Sequence, residues 1–302
     1  MQGCALPIEY NLLMTFSKDQ LIVDLMLGVP EKEDRSEWYE FMKPLLLDDE
    51  SNALFKMPAQ YMFKDIPDTG SHDDFIKYTI DQMDKHGIDH AMVGFDENSD
   101  IKKEIAKNHR DRFFFDLPVN ANNAMDEVRR IKRIHAEYDI KALSAFPSGI
   151  CPQVPINDKK WYPIYAACVE LDLPFFCCAG VPGPRLPMAP QKVELIDEVC
   201  WFFPELKFVM RHGAEPWTDL AVKLMVKYPN LYYSTSAFSP KHYPKSIIDY
   251  ANTRGSEKIM YAGYFPMGLT LEKIFDELPK VPFKDDVWPK FLGENAKKLL
   301  KL

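Results

Sequence analysis

Residues 206–217 read LKFVMRHGAEPW, and the fold turns on how this stretch is read. The run Phe208-Val209-Met210 is β-branched and apolar, becomes polar at Arg211 and His212, and breaks at Gly213. A buried parallel strand delivers polar side chains to its carboxyl end in this way. His212 is therefore the first candidate for chemistry, with a histidine merely hydrogen-bonded in a barrel wall as the alternative.

Outward from this strand the same unit recurs. Apolar runs at 21–27 (LIVDLML), 88–94, 112–119, 140–146, 173–179, 231–238 and 258–265 read as further strands. Between and after them, residues 72–86, 100–109, 124–138, 159–171, 192–203, 218–228, 244–253 and 269–278 have helical period, the first with Ser71 as its expected cap. The short joins carry Gly, Pro, Asn or Asp, as repeated βα units require. Eight strands with eight crossovers predict an α/β fold, a (β/α)8 TIM barrel, in a single domain over 1–302. Two additions interrupt the repeat: an insertion at 28–68 and a C-terminal helix within 285–302. The insertion contains Pro30, Pro44, Pro58 and Pro67 with Trp38, Tyr39, Phe41, Phe55, Tyr61 and Phe63, a composition suited to a packed lid.

Composition narrows the partners. The 302 residues are 46% hydrophobic and 27% charged with a formal net charge of -8, and no basic cluster stands out, which argues against nucleic acid or an anionic membrane. No apolar run approaches a membrane span and the amino terminus lacks a leader pattern, so a cytoplasmic protein is expected. Six cysteines (Cys4, Cys151, Cys168, Cys177, Cys178, Cys200) lack CxxC spacing and read as reduced thiols.

Four stretches, INDKKWYPIYAACVELDLP (156–174), KFVMRHGAEPW (207–217), PNLYYSTS (229–236) and GENAKKLLKL (293–302), together carry a family resemblance. In order and spacing the chain resembles the amidohydrolase-related group that contains aminocarboxymuconate semialdehyde decarboxylase and the resorcylate-type decarboxylases. The resemblance implies a divalent metal held by an HxH pair on the first strand, histidines on the fifth and sixth, and an aspartate on the eighth. Here Asp24 matches the acid before the pair, but the pair falls on Met26 and Gly28. The fifth-strand position is Cys178 and the eighth-strand position is Tyr264, so His212 alone matches a ligand. Met26 and Gly28 supply no suitable donor, and neither metal nor other cofactor is expected. A reorganised site of His212, Cys178 and Asp24 is the alternative, because a thiolate binds zinc well. The resemblance further implies a homo-oligomer.

Without the metal, period-2 geometry places Asp24, Met26, Cys178, His212, Ser236 and Tyr264 around one barrel mouth. His212 and Tyr264 are expected as an acid-base pair, with Cys178 as a polarisable neighbour or nucleophile. Arg185, on a loop overhanging the mouth, suits a carboxylate or phosphate. Glu215 and Trp217 flank the site, with Arg211 paired to Glu215 and Trp217 contributing an apolar wall. The expected partner is a small to mid-sized apolar carbonyl or carboxylated substrate, and the expected chemistry that of a hydrolase or carbon-carbon lyase. A descendant that only binds a ligand or partner is the remaining alternative.

Overall fold

Strands buried on both faces can be apolar throughout, and the eight runs behave so. In the computed structural model, which describes residues 20–302 except 65, they form eight parallel strands in sequential order. These are β1 (Val23–Asp24), β2 (His90–Gly94), β3 (Phe113–Pro118), β4 (Ala142–Ala145), β5 (Phe175–Cys178), β6 (Phe208–Arg211), β7 (Leu231–Ser234) and β8 (Ile259–Met260). Helices link them, and the architecture is a (β/α)8 barrel.

Alternation along the strands divides the apolar side chains into two layers. Val23, Leu25, Met92, Phe114, Phe176, Val209 and Met260 form one buried cluster, the barrel interior. Ala91, Val93, Phe113, Phe115, Phe175, Phe208 and Met210 join a second and larger cluster, which packs against the helices. Ala296, Leu299 and Leu300 from the C-terminal helix complete the inner cluster.

The seam between β8 and β1 is closed by single hydrogen bonds. The Gly263 N–H donates to Asp24 Oδ1 at 2.8 Å, and the Gly28 N–H donates to the Phe265 carbonyl at 2.8 Å. The Tyr261 N–H meanwhile donates to the Phe291 carbonyl at 2.8 Å. Phe291 lies in a π-helical turn, Lys290–Glu294, which precedes the α-helix Asn295–Leu300. The terminal helix expected within 285–302 is thus a π-helical turn followed by a short α-helix. Gly293 sits where a side chain would strike the Leu21 carbonyl, which lets the turn press against the start of β1.

Residues 28–68 form a strap of short helices, Ser36–Leu45, Asp49–Ala53 and Gln60–Met62. Its contacts cross the mouth: Phe41 meets Phe146 edge-on at 6.3 Å, Tyr61 donates to the Gly183 carbonyl at 2.6 Å, and Phe63 stacks on Tyr264 at 5.6 Å. The helix that follows, Phe75–His86, is capped by Asp74 rather than Ser71. The Asp74 carboxylate accepts from the Lys77 N–H at 2.9 Å, the geometry of a side chain at the N-cap itself. Among the described residues no helix is long and apolar enough to cross a membrane.

Candidate active site

At the end of β6 the backbone leaves the strand through three consecutive left-handed residues, His212 (φ 60°), Gly213 (φ 90°) and Ala214 (φ 56°). Left-handed backbone is unfavourable for His and Ala, at about 1–3 kcal/mol each, and persists only where neighbours over-determine it. Here the end of β5 supplies those neighbours. The Ala214 N–H donates to the Ala179 carbonyl at 3.2 Å, and the Val181 N–H to the Glu215 carbonyl at 2.7 Å, tying this turn to the end of β5. Gly180 permits the approach, since a Cβ there would lie 2.6 Å from the Glu215 oxygen. The turn also breaks the strand alternation, so that Arg211 and His212, adjacent in sequence, both reach the mouth.

Ser236 holds His212 from β7's side. Its fully buried hydroxyl oxygen accepts from the His212 N–H at 3.2 Å and lies 3.1 Å from Nδ1. The two contacts fix the orientation of the imidazole through Nδ1 and leave Nε2 free of the serine. Burial, with the adjacent Arg211 charge, pushes the imidazole down to about 3. An imidazole held neutral in this way is a poor base, which weighs against the proton-accepting role expected for it.

Tyr264 meets His212 edge to face, ring centroids 5.7 Å apart, and carries the lid's Phe63 on its other side. Burial raises its phenol well above the ordinary range, so it stays protonated and can donate. Cys178 is buried beside Arg211 in the β5–β6 register. Burial pushes its thiol up to about 12, and this removes the thiolate a nucleophile requires.

Other expected residues are placed differently. Asp24 is fully buried at the seam, where Oδ1 accepts from the N–H groups of Gly263 and Met26 and closes the barrel, while Oδ2 is buried with no hydrogen-bond partner. The period-2 expectation failed because β1 ends at Asp24 and the chain bends at Leu25 and Met26. Met26 packs on the inner cluster. Arg185 is committed to the lid: its guanidinium lies 2.9 Å from both Asp48 and Glu50 and over the Tyr61 ring. Glu215 is exposed, and Trp217 packs on the outer cluster beneath the helices, so neither builds a mouth wall.

Arg211 does not pair with Glu215. It points into the barrel, with Nη2 3.6 Å from Asp116 Oδ2 and the guanidinium carbon 5.3 Å from the Phe176 ring centre. Asp116 and Trp38 are the residues the sequence reading missed. The acid interrupting FFFDLP was the available signal for Asp116, of the same kind that drew attention to Asp24. Trp38 covers Gly28: a Cβ there would fall 2.6 Å from its ring.

With this geometry established, comparison with known proteins places the chain. The amidohydrolase model Amidohydro_2 matches residues 37–302. The chain belongs to the amidohydrolase family. No curated protein matches it. Among solved structures, an uncharacterised TIM-barrel protein from Bordetella bronchiseptica superposes with a TM-score of 0.75 at 22% identity, covering 93% of this chain and 98% of that one. A 5-carboxyvanillate decarboxylase from Novosphingobium aromaticivorans, complexed with manganese and 4-hydroxy-3-methoxy-5-nitrobenzoic acid, gives 0.66 at 16% identity, covering 94% and 97%. A probable 2-pyrone-4,6-dicarboxylic acid hydrolase from Acinetobacter baumannii, with citric acid bound, gives 0.63 at 12% identity, covering 93% and 99%. At these identities the likeness is one of fold.

A divalent ion such as the manganese of that decarboxylase does not fit the residues present here. Met26 offers a thioether and Gly28 no side chain, and Trp38 fills the space above Gly28. Cys178 offers a soft thiol, which does not suit manganese, and Tyr264 a phenol. Among the described residues no group of three or more His, Cys, Asp or Glu side chains gathers, so the reorganised set of His212, Cys178 and Asp24 does not form either.

Proposed function

We propose that the chain is a metal-independent enzyme of the amidohydrolase family that acts on a small, apolar carbonyl or carboxylated compound. Its reaction is that of a carbon-carbon lyase of decarboxylase type in preference to a hydrolase. The observation that carries this reading is the Ser236–His212 pairing beside Tyr264, in which we assign the serine proton to Nδ1, so that Nε2–H and the Tyr264 hydroxyl are the two donors. Two donors and no strong base suit a step in which negative charge develops on an oxygen. Hydrolysis needs water deprotonated, and neither His212 nor Cys178 is equipped for that. In a decarboxylation the C–C bond to the carboxylate breaks, its electron pair moves onto a conjugated carbonyl oxygen, and carbon dioxide leaves. The oxyanion receives hydrogen bonds from Nε2–H and from the Tyr264 hydroxyl, and in the last step its electron pair returns to the carbon, which takes a proton from solvent and re-forms the carbonyl. Phe63 of the lid, stacked on Tyr264, screens that corner from water.

The test is turnover of a panel of β-keto acids and ortho-hydroxylated aromatic acids, followed by carbon dioxide release in the presence of chelator. The reading expects release by the wild type that falls at least about tenfold in Tyr264→Phe and in His212→Gln. Release abolished by chelator, or unchanged in both variants, would contradict it.

A further inference from the structure

A second feature of the mouth points to what the enzyme holds. Arg211 is 6% exposed, and its Nε is buried with no hydrogen-bond partner. Its contact with Asp116 is a single approach of 3.6 Å, beyond hydrogen-bonding distance and far from the bidentate geometry a guanidinium can adopt. Among the described residues no hydrogen bond leaves the guanidinium at all. Buried polar groups are almost always satisfied, and a buried cation with its donors unmet is the exception that calls for a missing anion.

The surroundings agree. Asp116 does not depend on Arg211 alone, because the buried Lys102 also lies within its electrostatic reach. Lys102 is anchored by a hydrogen bond from Nζ to the Val29 carbonyl at 3.0 Å. An anion at Arg211 would therefore not leave the aspartate without a cation. The charge of Arg211 is also felt by His212, Cys178 and Tyr264, which sets it among the residues of the mouth. The guanidinium lies over the Phe176 ring, which fixes its plane and gives one apolar side to whatever meets it.

We propose that Arg211 is the carboxylate-binding residue of the site, holding a small organic acid by its guanidinium with Asp116 as its resting counter-ion. The inference rests on the functional reading above and sharpens it: the substrate or product is an anion with an apolar body. Asp116 is a positioning residue that keeps the guanidinium extended in the empty site and competes with the acid for it.

Binding tests this separately from turnover. Benzoate and hexanoate are added to the full chain, each beside its primary amide, and affinity is read from the concentration dependence of the melting temperature. Either acid, and neither amide, raises the melting temperature of the wild type. Asp116→Asn lowers the melting temperature without ligand and tightens the acid at least about threefold, because the competing carboxylate is gone. Arg211→Lys weakens it about tenfold, since an ammonium cannot present a fork. The double variant Arg211→Met with Asp116→Asn removes both buried charges together, keeps the fold, and abolishes the acid's effect. An equal shift in the double variant, equal shifts by acid and amide, or no shift by either acid in the wild type would overturn the assignment. Acid binding that persists while Tyr264→Phe leaves turnover unchanged would overturn the lyase reading and leave Arg211 in place.

Discussion

The two halves of the barrel mouth differ in kind. Around β8 and β1, the side chains are spent on closure and filling: Asp24 ties the seam, Met26 packs inward, and Trp38 lies over Gly28. Around β5, β6 and β7, the backbone is bent into left-handed geometry and the polar groups are either held in one orientation or left unmet. Backbone strain persists where the surrounding structure over-determines it, and it gathers at the end of β6, whereas buried polar atoms without a partner occur on both sides, Arg211 Nε on one and Asp24 Oδ2 and the Tyr261 hydroxyl on the other. The β1 corner is filled, and the groups proposed for chemistry lie from β5 round to Tyr264 after β8.

Substitutions should divide along the same line. The largest effect on the fold is expected from Asp24→Ala, which orphans the N–H groups of Gly263 and Met26 and should cost about 2–4 kcal/mol in chemical denaturation. Loss of activity without loss of stability would place Asp24 among the substrate-binding residues. Tyr264→Phe should do the reverse, lowering turnover about 10²-fold while shifting the denaturation midpoint little.

A further effect is expected in the pH dependence of stability. The imidazole of His212 sits at about 3 in the fold against an ordinary 6.5, so between those values the unfolded chain binds a proton that the folded chain does not. Stability present above pH 6.5 is therefore lost as the pH falls toward 3. His212→Gln should flatten the fall by up to one proton's worth of slope, and an unchanged slope would mean that the imidazole is freely protonated. Smallest of all is Cys178→Ala, expected to leave turnover within about twofold, with iodoacetamide labelling this thiol only after unfolding. Rapid labelling of the folded protein would restore the nucleophile.

The sequence made the barrel legible because its strands are covered on both faces and its joins carry turn residues. The site was legible only where regular alternation continued. His212, Ser236 and Tyr264 were found at the mouth, yet Asp24 was misplaced because β1 stops there and the chain bends. Arg211 was paired to its sequence neighbour Glu215 because nothing local announces that β6 aims it across the barrel at Asp116. Trp38 was read as part of an aromatic lid, but only tertiary packing could set its ring over the one position without a side chain. Long-range pairs of this kind have no sequence period to reveal them.

The central claim is that the β8–β1 half of the mouth no longer holds a metal. Its most direct test is the metal content per chain, by inductively coupled plasma mass spectrometry, after incubation of untagged protein with manganese or zinc and exhaustive dialysis. The account expects far less than one ion per chain and the same value in His212→Ala. A near-stoichiometric ion that His212→Ala releases would contradict it.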